Sequence, residues 1–180
     1  MVIAVEPVHR NALLIELASE LNGTSEIVQV ICAAVSNKTG FIEMAGEEDS
    51  SYSSVKVDNT IGTGRTKAIT IDHLVEKMNL PRVDILKMDI EGWEFHALQG
   101  MSALLSNRSA RPRMMMIELF SDHIQRYGSS IDEVCYYLNG YGYEPYVLNK
   151  GSVLMKYESK HRNIIYNVFF LDSSRIASDE

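Results

Sequence analysis

The stretch of the chain richest in chemistry is Val83-Asp84-Ile85-Leu86-Lys87-Met88-Asp89-Ile90-Glu91-Gly92. A strand buried in a parallel sheet is apolar throughout. Here Lys87 interrupts the apolar run, and Asp89 and Glu91 follow at the same parity. If the pleat holds, all three side chains lie on one side. A desolvated ammonium is costly unless paired, so Lys87 is expected to find a carboxylate. Asp89 and Glu91 fall where the strand gives way to a helix beginning near Gly92, and the backbone N–H groups of a helix start favour anionic or polar ligands. The same residues can form a structural ion-pair cluster, with Asp89 capping the helix.

Other strand ends carry acids too, and ligands of parallel α/β sheets bind beyond the carboxyl ends of the strands. Glu118, in the run Met114–Phe120, interrupts a second apolar strand and either extends the cluster or neutralises Lys87. Glu6 ends the first apolar run and precedes Pro7. Its two oxygens can accept from a vicinal diol such as a ribose; the plainer role is a charge beside the start of the next helix. His123 follows Phe120 on a loop or helix start, where a lone histidine is either solvated or catalytic. Met114, Met115 and Met116 read as core packing. Gly62-Thr63-Gly64 leads into a strand and lacks a third glycine, so it is not a dinucleotide loop. No phosphate-loop, HExxH or GxSxG pattern occurs.

The elements that must position these residues follow from periodicity and turn signals. Strands are expected at Val2–Glu6, Ile27–Val35, Phe41–Met44, Ala68–Ile71, Val83–Ile90, Met114–Phe120, Tyr143–Leu148, Ser152–Tyr157 and Ile164–Leu171. Helices are expected at Asn11–Leu21, Ile71–Met78, Trp93–Leu105 and Ile131–Leu138. The turn Asn37–Gly40 suggests a hairpin between its flanking strands, and Asn149-Lys150-Gly151 a second one. Residues 46–64 are polar and read as a surface loop. The alternation of strand and helix gives an α/β class with a mostly parallel sheet, helices on both faces, and an antiparallel end. One domain over residues 1–172 and a loose tail over 173–180 are expected.

The chain has 180 residues, 46% of them hydrophobic and 23% charged, which suits one globular core and is too apolar for disorder. Its 17 basic and 24 acidic side chains leave a net charge of −7, which argues against binding nucleic-acid phosphates. No apolar stretch is long enough to cross a membrane and no signal layout opens the chain, so a soluble, cytoplasmic protein is the default expectation. Cys32 and Cys135 lie in apolar runs without ligand spacing and read as buried free thiols; no metal site is expected. The glycosylation-type triplets at Asn22, Asn37 and Asn107 are then coincidental.

Val83–Glu94 (VDILKMDIEGWE), followed by Ala97–Gly100 (ALQG), resembles the FkbM-type family of S-adenosylmethionine-dependent methyltransferases, whose KxDxEGxE core it matches. Thr70–Leu74, Ala4–Pro7, Ala33–Gly40, Met116–Glu118 and Asn167–Leu171 fit the same family in order, so the resemblance covers nearly the whole chain. It implies a class I methyltransferase (Rossmann-like) fold with S-adenosylmethionine as cofactor and O-methylation of a sugar or small-molecule hydroxyl. It further implies that Glu6 holds the ribose, that Ala33 and Ala34 lie near the adenine, and that Asp89 and Glu91 sit beside the methyl group and acceptor. Asp89 or Glu91 would be the catalytic base, and Lys87 and Glu118 an accompanying ion-pair cluster. Residues 46–64 and 121–130 would contact the acceptor. The family's first strand and glycine-rich loop precede the position of Glu6, so the chain is expected to be a truncated form lacking that strand. Two other readings compete. One is a non-catalytic remnant or interaction domain that binds no cofactor; the other is a nucleotide-binding α/β enzyme, for which no phosphate loop speaks.

Overall fold

A computed structural model describes residues 1–45, 54–55, 62–149, 152–158 and 167–175. In chain order the elements are β1 (Val2–Glu6), α1 (His9–Leu21), β2 (Val28–Cys32), β3 (Ala34–Val35), β4 (Gly40–Ala45), β5 (Ser54–Val55), β6 (Gly62–Ile69), α2 (Ile71–Lys77), β7 (Ile85–Met88), α3 (Glu94–Gln99), α4 (Ser102–Ser106), β8 (Met114–Glu118), α5 (Ser121–Arg126), α6 (Ile131–Asn139), β9 (Tyr143–Leu148), β10 (Leu154–Lys156) and β11 (Asn167–Asp172). The fold is mixed α/β, as the alternation required.

The sheet is not continuous. Among the described residues the strands form three sheets, ordered β1-β2, β10-β9-β11-β8-β7 and β3-β6-β4-β5. Parallel ladders join β1 to β2, β7 to β8 and β3 to β6. The remaining pairings are antiparallel, so the expectation of a mostly parallel sheet is corrected to a mixed one. The antiparallel end is present: β11 lies between β8 and β9 and runs against both.

Local signals account for most boundaries. Ser130 and Glu133 form a reciprocal cap at the start of α6: Glu133 N–H donates to Ser130 Oγ at 3.2 Å, and Ser130 Oγ donates to Glu133 Oε2 at 2.9 Å. Ile131, Val134 and Leu138 then recur on one face and are buried. Thr70 caps α2 by accepting from His73 N–H at 3.0 Å. Asp72, in the first turn of α2, accepts from the N–H groups of Ala103 and Leu104 at 2.9 and 2.8 Å. Its charge thus sits at the N-terminus of α4, where the helix dipole favours it.

Three element expectations change for physical reasons. The single helix over 93–105 divides into α3 and α4 around Gly100 and Met101. Gly100 packs against the Ser36 carbonyl so closely that a Cβ there would lie 2.1 Å from the oxygen. The hairpin expected around 37–40 does not form, because β6 lies between β3 and β4 and pairs with both. Gly62 and Gly64 belong to β6, opposite Ala45 and Met44, while residues 46–53 and 56–61 of the expected loop lie outside the described residues. The hairpin β9–β10 forms, with Leu154 opposite Leu148; Lys150 and Gly151 of its turn lie outside the described residues.

The main core lies around the five-stranded sheet, where Leu98, Met101 and Leu105 meet Met115, Ile117, Val134, Leu138 and Phe170. Met115 is fully buried here, as the packing role requires. At the core's edge Asp172 and Arg111 form a buried ion pair. Arg111 Nε and Nη2 donate to Asp172 Oδ2 and Oδ1 at 2.9 and 2.6 Å, and Nη1 donates to the Tyr141 carbonyl at 2.5 Å. Burial pushes the Asp172 carboxyl up, but bonds from Arg111 and Ser174 outweigh it and hold it below the usual range. Ser173–Arg175, part of the expected loose tail, are held in place. Ser173 N–H and Oγ both donate to the Gly142 carbonyl, and Arg175 Nη2 donates to the Arg108 carbonyl. Residues 176–180 lie outside the described residues.

A second, smaller cluster of Ala33, Ile69 and Leu74 gathers Ile3, Val5 and Ile31 beneath β1 and β2. Between β1 and β7 runs an open groove of about 670 Å³, lined by Ile3 and Val5 on one side, Ile85 and Lys87 on the other, and Ile71 and Leu74 below. Among the described residues each of the two facing strands has a ladder partner on one side, β2 for β1 and β8 for β7. Leu13, Leu14, Leu17 and Leu21 of α1 are also exposed.

Candidate functional site

The groove explains why Lys87 is tolerated in an apolar strand. Lys87 is not desolvated, as the sequence suggested, because β7 faces the groove and leaves its side chain 56% exposed. Its Nζ donates to Asp89 Oδ2 at 2.9 Å, so the carboxylate it finds is the one at matching parity. That bond holds the Asp89 carboxyl below its usual range; burial opposes, and a hydrogen bond with Glu118 adds to the lowering. Glu118, at the carboxyl end of β8, shifts the other way. Burial, the bond with Asp89 and the charges of Asp89 and Glu91 push it up to about 7, against the attraction of Lys87. Two carboxyls sharing a site do not both ionise freely, so Glu118 is the more readily protonated of the two and Asp89 the more readily ionised. Lys87, Asp89 and Glu118 therefore form one cluster with Asp89 at its centre.

Glu91 departs from the expected common face. The strand ends at Met88, and the backbone turns over Glu91 (φ 59°) and Gly92 (φ 101°). A left-handed glutamate is uncommon and carries strain. The turn swings the Glu91 carboxylate to His123 on α5, with Oε2 3.1 Å from Nδ1. Gly92 makes this approach possible: a Cβ there would lie 2.5 Å from the His123 carbonyl oxygen. His123 also stands edge-on to Phe120, ring centroids 4.6 Å apart. His123, expected on a loop or helix start, lies on α5, which carries it to the carboxyl end of β7.

Glu94 belongs to the site's framework and its role is not visible in the spacing alone. It is 2% exposed, and its Oε1 accepts from the N–H groups of Ile90 and Gly92 at 3.2 and 3.1 Å. The turn bearing Asp89 and Glu91 is thereby fastened to α3. Burial raises its carboxyl, with the backbone bonds and nearby Asp89 acting as smaller influences. An acid in the first turn of a helix, two residues after a glycine, is the one signal that points to it.

On the other side of the groove, Glu6 ends β1. Its Oε1 accepts from Val8 N–H at 2.9 Å and from the Asn11 amide at 3.4 Å. The carboxylate is thus oriented by the start of α1. Ala33 follows β2, and its N–H donates to the Glu6 carbonyl at 3.1 Å. Ala33 and Ala34 are 0% and 5% exposed, so they form the wall beside Glu6 rather than an open surface. Val5, the neighbour of Glu6, and Asp89 of the acid cluster both line the groove. The structure brings Lys87, Asp89, Glu118, Glu91 and His123 together at the ends of β7 and β8, and leaves Glu6, Ala33 and Ala34 across from them. Among the described residues no group of three or more His, Cys, Asp and Glu side chains is arranged to hold a metal ion, and no helix is long and apolar enough to cross a membrane.

Residues 1–145 match a family described as the methyltransferase FkbM domain. No curated protein matches the chain. The fold is similar to the crystal structure of a methyltransferase FkbM from Methylobacillus flagellatus KT, with a TM-score of 0.57 at 13% sequence identity. The likeness covers 94% of this chain and 36% of that one, so the chain spans about a third of the length of that relative.

Proposed function

Because the chain belongs to the methyltransferase FkbM domain family, we propose that its site serves S-adenosylmethionine-dependent methylation of a hydroxyl on a small molecule or sugar, within a class I, Rossmann-like arrangement. The observation that carries the proposal is the pair of acidic strand ends flanking the groove: Glu6 ends β1 next to groove-lining Val5, and Asp89, which lines the groove, follows β7 beside Glu118 at the end of β8. Glu6, fixed by Val8 and Asn11, fits a ribose diol; Ala33 and Ala34 form the wall against which a flat base packs; Asp89 fits a polar group on the donor's opposite end. The bound donor supplies an electrophilic methyl group on sulfur. The protein's own contribution is to align the acceptor oxygen and exclude water, and to receive the hydroxyl proton on a base at the ends of β7 and β8.

The groove between β1 and β7 belongs to this reading. Two strand edges that face each other across an open groove are suited to one further parallel strand, which satisfies both ladders. The proposed occupant is the strand preceding β1 in a longer form of this protein, with its glycine-rich loop reaching the donor's amino-acid end.

Calorimetric titration with S-adenosylmethionine tests both parts. Binding is expected once an upstream strand-and-loop segment is present, and Glu6→Ala should then weaken it. No heat in either form would favour the remnant reading, in which the acid cluster serves folding alone.

A further inference from the structure

We propose that His123 is the base that accepts the acceptor's proton, and that Glu91 is the positioning residue that prepares it. The inference rests on the methyl-transfer reading for its substrate, and on the geometry of β7, β8 and α5 for its residues.

The observed bonds separate the candidate bases. Asp89 is engaged by Lys87 at 2.9 Å and by Glu118, which lowers its basicity. Glu118 is hydrogen-bonded to Asp89 and is pushed up by burial and by that neighbour. Glu91 faces one partner, the Nδ1 of His123, at 3.1 Å. A carboxylate at Nδ1 fixes the neutral imidazole as the Nδ1–H tautomer and leaves Nε2 as the acceptor. It also stabilises the imidazolium formed when Nε2 takes a proton. The pair retains access to solvent, with side-chain exposures of 29% for His123 and 25% for Glu91. It spans the ends of two adjacent parallel strands, where ligands of such sheets sit.

The backbone supports the same assignment. A surface ion pair needs no distorted main chain, yet Glu91 is left-handed, Gly92 has φ 101°, and the turn is fastened by buried Glu94. Strain of this kind gathers where geometry must be held for function.

The step balances without a further reactant beyond the sulfonium donor and the hydroxyl acceptor. His123 Nε2 takes the hydroxyl proton. The oxygen's electron pair forms the new bond to the methyl carbon, and the pair of the broken carbon–sulfur bond stays on sulfur. Glu91 offsets the resulting imidazolium charge.

Nitrogen-15 NMR of imidazole-labelled protein tests the dyad without turnover. At a pH where the ring is neutral, His123 should be the Nδ1–H tautomer, Glu91→Ala should shift it toward Nε2–H, and Glu91→Gln should keep it, since an amide oxygen still accepts from Nδ1. In a methylating form of the protein, His123→Gln should lower kcat by about 10²-fold or more with donor affinity unchanged. Glu91→Ala combined with His123→Gln should be no worse than His123→Gln alone. An Nε2–H tautomer in the unaltered protein, or full turnover in His123→Gln, overturns the proposal. Absence of methyl transfer from the unaltered protein, with or without a strand supplied to the groove, overturns the functional reading and with it the role of base, while the tautomer measurement separately decides the dyad.

Discussion

Two of the ionic clusters among the described residues are built on opposite terms. Arg111 and Asp172 are sealed, with side-chain exposures of 4% and 0%, and opposite charges are matched in a two-pronged contact. The cluster at the ends of β7 and β8 is half open, holds three carboxyl groups to one lysine and one histidine, and divides its protons unevenly. The first ties β11 to the segment before β8. The second is partly exposed and adjoins a left-handed turn, and under the proposed reading its imbalance is what the chemistry uses.

Substitutions can break this contrast, and the largest effect is expected in the sealed pair. Arg111→Ala should lower unfolding free energy by about 3–5 kcal/mol, because it takes the two-pronged partner from a buried carboxylate and leaves it only Ser174 and the more distant Arg175; thermal or urea unfolding measures it. A loss below 1 kcal/mol would erase the distinction. Next comes Gly92→Ala, with an expected loss of about 2–3 kcal/mol from the left-handed backbone and the clash with the His123 carbonyl. The same variant should shift the His123 ring resonances. Glu91→Ala and Lys87→Ala should each change stability by about 1 kcal/mol or less, since both ion pairs are partly exposed. Calorimetry distinguishes this from the Arg111 result.

The smallest effect is a pH slope. Glu118 is raised in the folded state to about 7, so its folded form binds a proton more tightly than the unfolded chain does. Its stabilising contribution is complete below its unfolded pKa and fades as pH rises toward and past 7. Asp89 is lowered, so its contribution is present above its unfolded pKa and fades as pH falls. Unfolding measured from pH 5 to pH 8 should therefore show a decline that Glu118→Gln removes. An unchanged decline in that variant would place the proton elsewhere.

Much of this was legible in the residues. Helices α1, α2 and α6 and strands β1, β7, β8 and β9 follow from periodicity, because each buries one face or one run. The bond of Lys87 to Asp89 follows from parity within one strand. Pairing between distant strands does not: nothing near Gly40 indicates that β4 would turn from β3 to β6. The break at Gly100 depends on a contact with Ser36, 64 positions earlier in a chain of 180 residues. The meeting of Glu91 with His123 needs a left-handed turn that no spacing rule supplies. Spacing that assumes a regular pleat put Glu91 with Lys87 and Asp89, and the turn took it away.

The groove between β1 and β7 makes folding a measurable partner of strand insertion. Any segment that enters the groove of the folded chain, and ignores the unfolded one, raises stability by mass action, about 2.7 kcal/mol at a hundred times its dissociation constant. The melting temperature of the chain therefore becomes a titration signal. A series of synthetic strands can be ranked by it with no cofactor, acceptor or turnover in the cuvette.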